Sequence, residues 1–264
     1  MSESRLDITW AQLRAEGRSA LIPYLTAGYP TIAGSLAALR AAAEIADIIE
    51  VGVPFSDPLA DGPTIQRSTF EALRQGMTLR GTLDLIGEAH LAKPIVVFSY
   101  LNPVLSYGLE RFLHDSAQLG VAGLLLTDLP AGSDPDIESS VARSSLDLIR
   151  LIAPTTRPER LSLAVAGAAG FIYLVARLGV TGASTALAPD LPGTIGAVRA
   201  ATQLPIAVGF GISTPAQAAT VATLADGVVV GSALVEIVGA HGVGAAADFL
   251  RGMREAMDGA EARR

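Results

Sequence analysis

Three carboxylates, Glu50, Asp57 and Asp61, fall within the stretch DIIEVGVPFSDPLADGPTIQ from Asp47 to Gln66. The run DIIEVGV reads as a buried strand with Glu50 among aliphatic residues. Burying an ionised carboxylate is costly, so such a group finds a partner or has its pKa raised by desolvation. A raised carboxyl at the end of a strand is suited to general acid/base work near neutral pH. Beyond the strand, Pro54, Pro58 and Pro63 stiffen a loop that carries Asp57 and Asp61, and Pro63 sits where a helix favours proline. A plainer reading of the same residues is that Glu50 pairs with a core arginine while the aspartates cap turns. Asp57 and Asp61, four apart, could bind Mg²⁺, although two carboxylates alone do not make a site.

Other side chains able to do chemistry recur at the ends of apolar runs. Tyr100 and Asn102 close PIVVFSYLNP, Asp128 closes AGLLLTDLP, and Tyr173 lies in GFIYLVA. The segment ARLGVTGASTALAPD, Ala176–Asp190, is long and rich in small residues, as a lid over a site would be. Two later runs end in Gly209-Phe210-Gly211 and Gly231-Ser232-Ala233. Glycines there let backbone N–H groups approach a ligand, and a helix starting at Gly231-Ser232 points its positive end inward, the makings of a phosphate site.

Missing residue types narrow the reaction. Lys93 is the only lysine and precedes Pro94 at the start of a strand, which removes lysine-imine chemistry. His90, His114 and His241 fall in helical stretches without metal-ligand spacing. What remains is carboxylate-driven proton transfer on a phosphorylated substrate, without a cofactor.

The elements that must position these groups alternate regularly. After a short amphipathic helix from Leu6 to Glu16, a plug or flap, strands are expected at Ala20–Pro30, around Glu50, at Pro94–Pro103, Ala122–Pro130 and Asp147–Pro154. Three more follow at Gly170–Ala176, Pro205–Gly211 and Gly227–Ala233. Helical patterns lie between them, and a last one runs from about Val243 to Met257. The strands are continuous apolar runs, as when both faces are covered. Eight such units predict a single (β/α)8 barrel over residues 1–264 with an extra N-terminal helix, whose site lies at the C-terminal strand ends. A doubly wound sheet would instead carry a Gly-x-Gly-x-x-Gly turn after the first strand, and none is present.

Composition sets further bounds. The chain has 264 residues, enough for one full core, and a net charge of −7, which argues against a nucleic-acid partner. Cysteine is absent, so there is no disulfide framework. The N-terminus lacks the pattern of a signal peptide, and no uninterrupted apolar run reaches the roughly 18–20 residues of a membrane span. A cytoplasmic enzyme without membrane attachment is expected.

The run GVPFSDPLADGPTIQ after Glu50 resembles the alpha subunit of tryptophan synthase. The likeness continues through IPYLTAGYP, Ala153-Pro154, RLGVTGA, VGFGIS and VGSALV, over nearly the whole chain in the same order. The resemblance implies a (β/α)8 barrel with no cofactor of its own, catalysing retro-aldol cleavage of indole-3-glycerol phosphate to indole and glyceraldehyde 3-phosphate in tryptophan biosynthesis. By it, Glu50 is the acid/base, Asp61 accepts a hydrogen bond from the indole N–H, and Tyr173 stands beside the glutamate. Thr181 meets Asp61 when the lid closes. Gly182, Phe210, Gly211, Gly231 and Ser232, with Ala233, cradle the phosphate; Tyr24, Phe98 and Tyr100 line the indole pocket, with Asp128 among the substrate contacts. Tyr24 and Phe98 stand where the family has phenylalanine and an aliphatic residue, while Tyr29, Ala176 and Leu178 depart from its pattern near the loops. The implied partner is a pyridoxal-phosphate beta subunit in an α2β2 complex, docked on Pro54, Asp57 and the Asn102–Pro103 region. A free-standing indole-glycerol phosphate lyase, an isomerase of another sugar phosphate, and an inactive barrel regulating a beta partner are the alternatives.

Overall fold

The computed structural model describes residues 3–176, 190–209 and 211–261. The chain runs α1 (Arg5–Glu16), β1 (Ala20–Thr26), α2 (Ile32–Ala43), β2 (Ile49–Gly52), α3 (Pro63–Arg74), α4 (Leu79–Ala89) and β3 (Ile95–Ser99). It continues through α5 (Leu101–Tyr107), α6 (Leu109–Gln118), β4 (Val121–Leu126), α7 (Pro135–Arg143), β5 (Asp147–Ile152), α8 (Pro158–Ala164) and β6 (Ile172–Val175). The last elements are α9 (Leu191–Ala201), β7 (Ile206–Gly209), α10 (Pro215–Ala222), β8 (Gly227–Val230) and α11 (Ser232–Glu261). The strands form a closed barrel in sequence order, and every pairing, including β1 with β8, is parallel. This is the expected (β/α)8 architecture.

Two apolar layers explain the unbroken Val/Ile/Leu runs. Along β3, Ile95 and Val97 face the helices while Val96 and Phe98 face the barrel axis. Along β1, Leu21 and Leu25 face out and Ala20, Ile22 and Tyr24 face in. The alternation sends Tyr24, Glu50, Phe98 and Tyr173 into the interior near the C-terminal mouth, the chemically active end of such barrels.

The opposite mouth is closed by α1. Ser4 caps it, and the same hydroxyl reaches the Asp147 carboxylate at 2.6 Å. Arg5 donates to Ala92 O and Gly120 O at 2.7 Å each, tying the helix to the turns before β3 and β4. Leu6, Trp10 and Leu13 are buried, and the Trp10 ring meets Phe171 edge-on at 5.6 Å between centroids. Of the two roles read from the sequence, α1 is thus a plug.

Some element ends differ from expectation. The third strand ends at Ser99, not at Asn102-Pro103, because Leu101–Tyr107 is helical. Pro103 lies in its first turn, where its missing N–H has no partner to lose, and Asp128 Oδ1 accepts from Leu101 N at 2.7 Å to cap the helix from outside. A helix starts at Ser232, as expected at Gly231-Ser232, and it changes direction at Gly242, whose φ is +80°, so the helix expected from about Val243 is its second arm. By length and composition Ser232–Ala260 could cross a bilayer, which the short apolar runs did not suggest. It packs instead on α10, α2 and β1.

Candidate active site

Glu50 is completely buried, and neither carboxylate oxygen has a hydrogen-bond partner among the described residues. Desolvation alone lifts its pKa from 4.5 to about 8. The plainer reading, in which a core arginine neutralises it, does not hold. Among the described residues the two buried arginines are engaged elsewhere. Arg150 pairs with Glu138 at 2.8 Å, and Arg254 pairs with Asp258 at 2.6 Å and with Asp47 at 3.5 Å, toward the foot of the barrel. A buried carboxyl left without a partner is costly, and a group of that kind facing a barrel mouth is a candidate for chemistry.

Asp61 is buried to 9% exposure on the loop after β2. Desolvation raises its pKa to about 6, opposed by a hydrogen bond from the Tyr100 phenol. That phenol also accepts from Ala60 N at 2.8 Å, so Tyr100 staples the acidic loop to the end of β3. The loop is held further by Asp61 N donating to Pro58 O at 3.1 Å and Gln66 Nε2 donating to Asp61 O at 2.9 Å. Gly62 then caps α3 with Pro63 in its first turn. Asp57 does not join this pair: it is exposed and accepts from Ser56 Oγ at 2.5 Å.

An aromatic wall lies between the two acids. Tyr24 pairs in register with Glu50, and its ring meets Phe98 edge-on at 5.3 Å; Phe98 meets Tyr173 at 6.4 Å. Burial comes first in raising all three phenols, Tyr24, Tyr100 and Tyr173. The charge of Glu50 acts on Tyr24 and Tyr173, and that of Asp61 on Tyr24 and Tyr100. Two glycines make room for this wall. A Cβ on Gly52 would stand 2.0 Å from the Tyr24 hydroxyl, and one on Gly209 would stand 2.2 Å from the Tyr173 hydroxyl.

Gly211 and Gly231 follow the neighbouring strands β7 and β8. Gly211 adopts a φ of +89°, which favours glycine. The carbonyl of Gly231 accepts from Val235 N at 3.0 Å, so α11 starts at the mouth with its first N–H groups free of intrahelical partners. This terminus can receive an anion. Thr181, Gly182, Leu178 and Phe210 lie outside the described residues. Asp128 sits at the exposed rim, where it caps α5.

Sequence reasoning missed a cavity of about 550 Å³ at the same rim, beside the ends of β4 and β5 and lined in part by Thr127, Leu129, Arg150, Thr155 and Arg160. Arg150 shapes it by donating to Leu129 O at 3.1 Å and Ala166 O at 3.3 Å. A charged residue inside the strand DLIRLI was the available signal.

Residues 10–258 match the family model described as tryptophan synthase alpha chain. The chain is 49% identical over 239 residues to the tryptophan synthase alpha chain of Acidiphilium cryptum, covering 88% of this chain and 86% of that one. It is 48% identical over 239 residues to the protein of the same name from Chloroflexus aurantiacus, covering 88% and 89%. A solved structure of tryptophan synthase from Mycobacterium tuberculosis superposes with a TM-score of 0.90 at 40% identity, covering 97% of this chain and 99% of that one. The alpha subunit from Legionella pneumophila gives 0.88 at 32% identity, covering 98% and 100%. With this match along the barrel and the paired acids at its mouth, the chain belongs to the tryptophan synthase alpha chain family.

Proposed function

We propose that the protein is a carbon–carbon lyase cleaving indole-3-glycerol phosphate to indole and glyceraldehyde 3-phosphate. The observation that carries this reading is Glu50, buried without a partner and with a pKa near neutrality, within one cavity wall of Asp61. Near pH 7 the resting site holds a protonated Glu50 and an ionised Asp61. Asp61 accepts the indole N–H and stabilises the positive charge that develops on nitrogen as Glu50 delivers its proton to indole C3. The carboxylate so formed takes the proton of the glycerol C3′ hydroxyl as the carbon–carbon bond breaks. Indole and the aldehyde leave, and Glu50 is protonated again. A pKa close to the working pH lets one group serve in both directions.

In this reading the phosphate is moored at Gly211, Gly231 and Ser232, with Gly182 and Phe210. Tyr24, Phe98 and Tyr100 contact the indole, Tyr173 supports Glu50, and Thr181 closes over Asp61. The enzyme acts in the cytoplasm and docks a beta subunit on the rim around Pro54, Asp57 and Asn102–Pro103. In support, Leu59 is 90% exposed and Leu105 47% exposed, and both belong to the same loop and helix as these residues. The test is indole release from indole-3-glycerol phosphate, with and without a beta subunit, against sugar phosphates lacking the indole ring. Turnover of the ringless substrates alone would assign a different reaction.

A further inference from the structure

Glu50 and Gly52 lie two residues apart on β2 and therefore point to the same face, one pleat apart. Gly52 has no side chain, and the space is filled from the neighbouring strand: the Tyr24 hydroxyl stands where a Gly52 Cβ would be. It is one step nearer the mouth than Glu50, on the side from which the Asp61 loop departs. On its other side, the Tyr24 Cβ lies 3.6 Å from the Cβ position of Gly231, after the neighbouring strand β8.

The groups that act on the phenol are Asp61 from the loop beyond β2, Thr26 on its own strand, Glu50 from β2 and the Tyr100 phenol from the end of β3. Tyr173 on β6 is reached by the same charge of Glu50. The hydrogen bond from Thr26 lowers the phenol's pKa, so Thr26 donates and the phenol oxygen accepts; Thr26 Oγ1 also lies 2.8 Å from Ser68 Oγ, where either can donate. The phenol proton is therefore not spent on Thr26. An ionised carboxylate attracts an O–H roughly twice as strongly as a neutral hydroxyl does. The phenol proton therefore turns toward the acids whenever Asp61 is charged.

We infer that Tyr24 is a positioning residue for the reaction, presenting its O–H to the gap between Asp61 and Glu50 and favouring the arrangement in which Asp61 holds the charge and Glu50 the proton. Burial and both carboxylates keep the phenol protonated across the working range, so it remains a donor. This role rests on the acid/base reading of Glu50 and Asp61.

The test is Tyr24→Phe, which keeps the ring and removes the hydroxyl. The acidic limb of kcat/KM moves up by on the order of half to one pH unit. The variant then loses about three- to tenfold near pH 5.5, and this loss shrinks as pH rises toward about 7.5. A Tyr24→Leu variant shows the same limb shift with a further loss at all pH. Titration of the Asp61 carboxyl by carbon-13 NMR in wild type and Tyr24→Phe reads the same shift without turnover. If wild type forms no indole, the proposed reaction fails while the NMR shift still decides the role of Tyr24. A uniform loss across pH, movement of the basic limb alone, or an unmoved Asp61 titration would overturn it.

Discussion

Replacing Glu50 by glutamine makes the fold more stable in alkali while abolishing its chemistry. In the unfolded chain Glu50 titrates near 4.5; in the folded chain it titrates at about 8. The folded value is the higher one, so the stability associated with this group is complete below about pH 4.5 and is lost as pH rises toward about 8. Within that window the wild type takes up a proton on folding, which costs up to roughly 1.4 kcal/mol per pH unit. Over roughly 3.5 pH units the upper limit is about 5 kcal/mol. Glutamine has the same shape and carries no charge to desolvate, and the protonated carboxyl it replaces has no hydrogen-bond partner to lose. Each kcal/mol moves the melting temperature of a chain this size by about 2–4 °C. Thermal melts followed by circular dichroism should therefore coincide within about 2 °C near pH 5. Near pH 8.5 the Glu50→Gln variant should melt about 5–15 °C above wild type. A constant difference at both pH values, or a variant less stable than wild type in alkali, would refute the claim that Glu50 is an unpaired buried acid.

Further outcomes follow from the same geometry. Gly52→Ala drives a methyl into the Tyr24 hydroxyl and should cost at least tenfold in kcat/KM, together with about 1–3 kcal/mol of stability; an unchanged steady-state rate would mean that the hydroxyl is free to move away. The pH profile of kcat/KM should be bell-shaped, falling below about 6 as Asp61 gains a proton and above about 8 as Glu50 loses one. A profile flat across this range would separate the rate from these two groups. Trp10→Ala should destabilise by about 3–5 kcal/mol in denaturant melts, because it empties the plug. Its kcat/KM should stay within about twofold of wild type, since the plug closes the mouth opposite the acids; a large kinetic loss would contradict that separation.

Glu50 and Asp61 were legible because each local signal agreed: a carboxylate inside an apolar run, then a proline-stiffened loop, then a helix start at Pro63. The barrel was legible for a similar reason, as two covered faces demand unbroken aliphatic strands. Asn102-Pro103 misled because Asn-Pro is a strong turn signal, whereas the carboxylate that caps α5, Asp128, comes from another strand end. The last helix was legible as two pieces, one starting at Gly231-Ser232 and one from about Val243, and they meet at the positive φ of Gly242. The Tyr24 hydroxyl over Gly52, and the absence of an arginine beside Glu50 among the described residues, depend on strand register and on where Arg150 and Arg254 are drawn. Neither can be read from neighbours in the chain.

The central claim is that Glu50 and Asp61 together cleave the carbon–carbon bond, and its most direct test is product analysis with indole-3-glycerol phosphate. Wild type should release indole and glyceraldehyde 3-phosphate in equal amounts, while folded Glu50→Gln and Asp61→Asn variants should release neither at a measurable rate. Indole from either variant at a rate close to that of wild type would contradict the account.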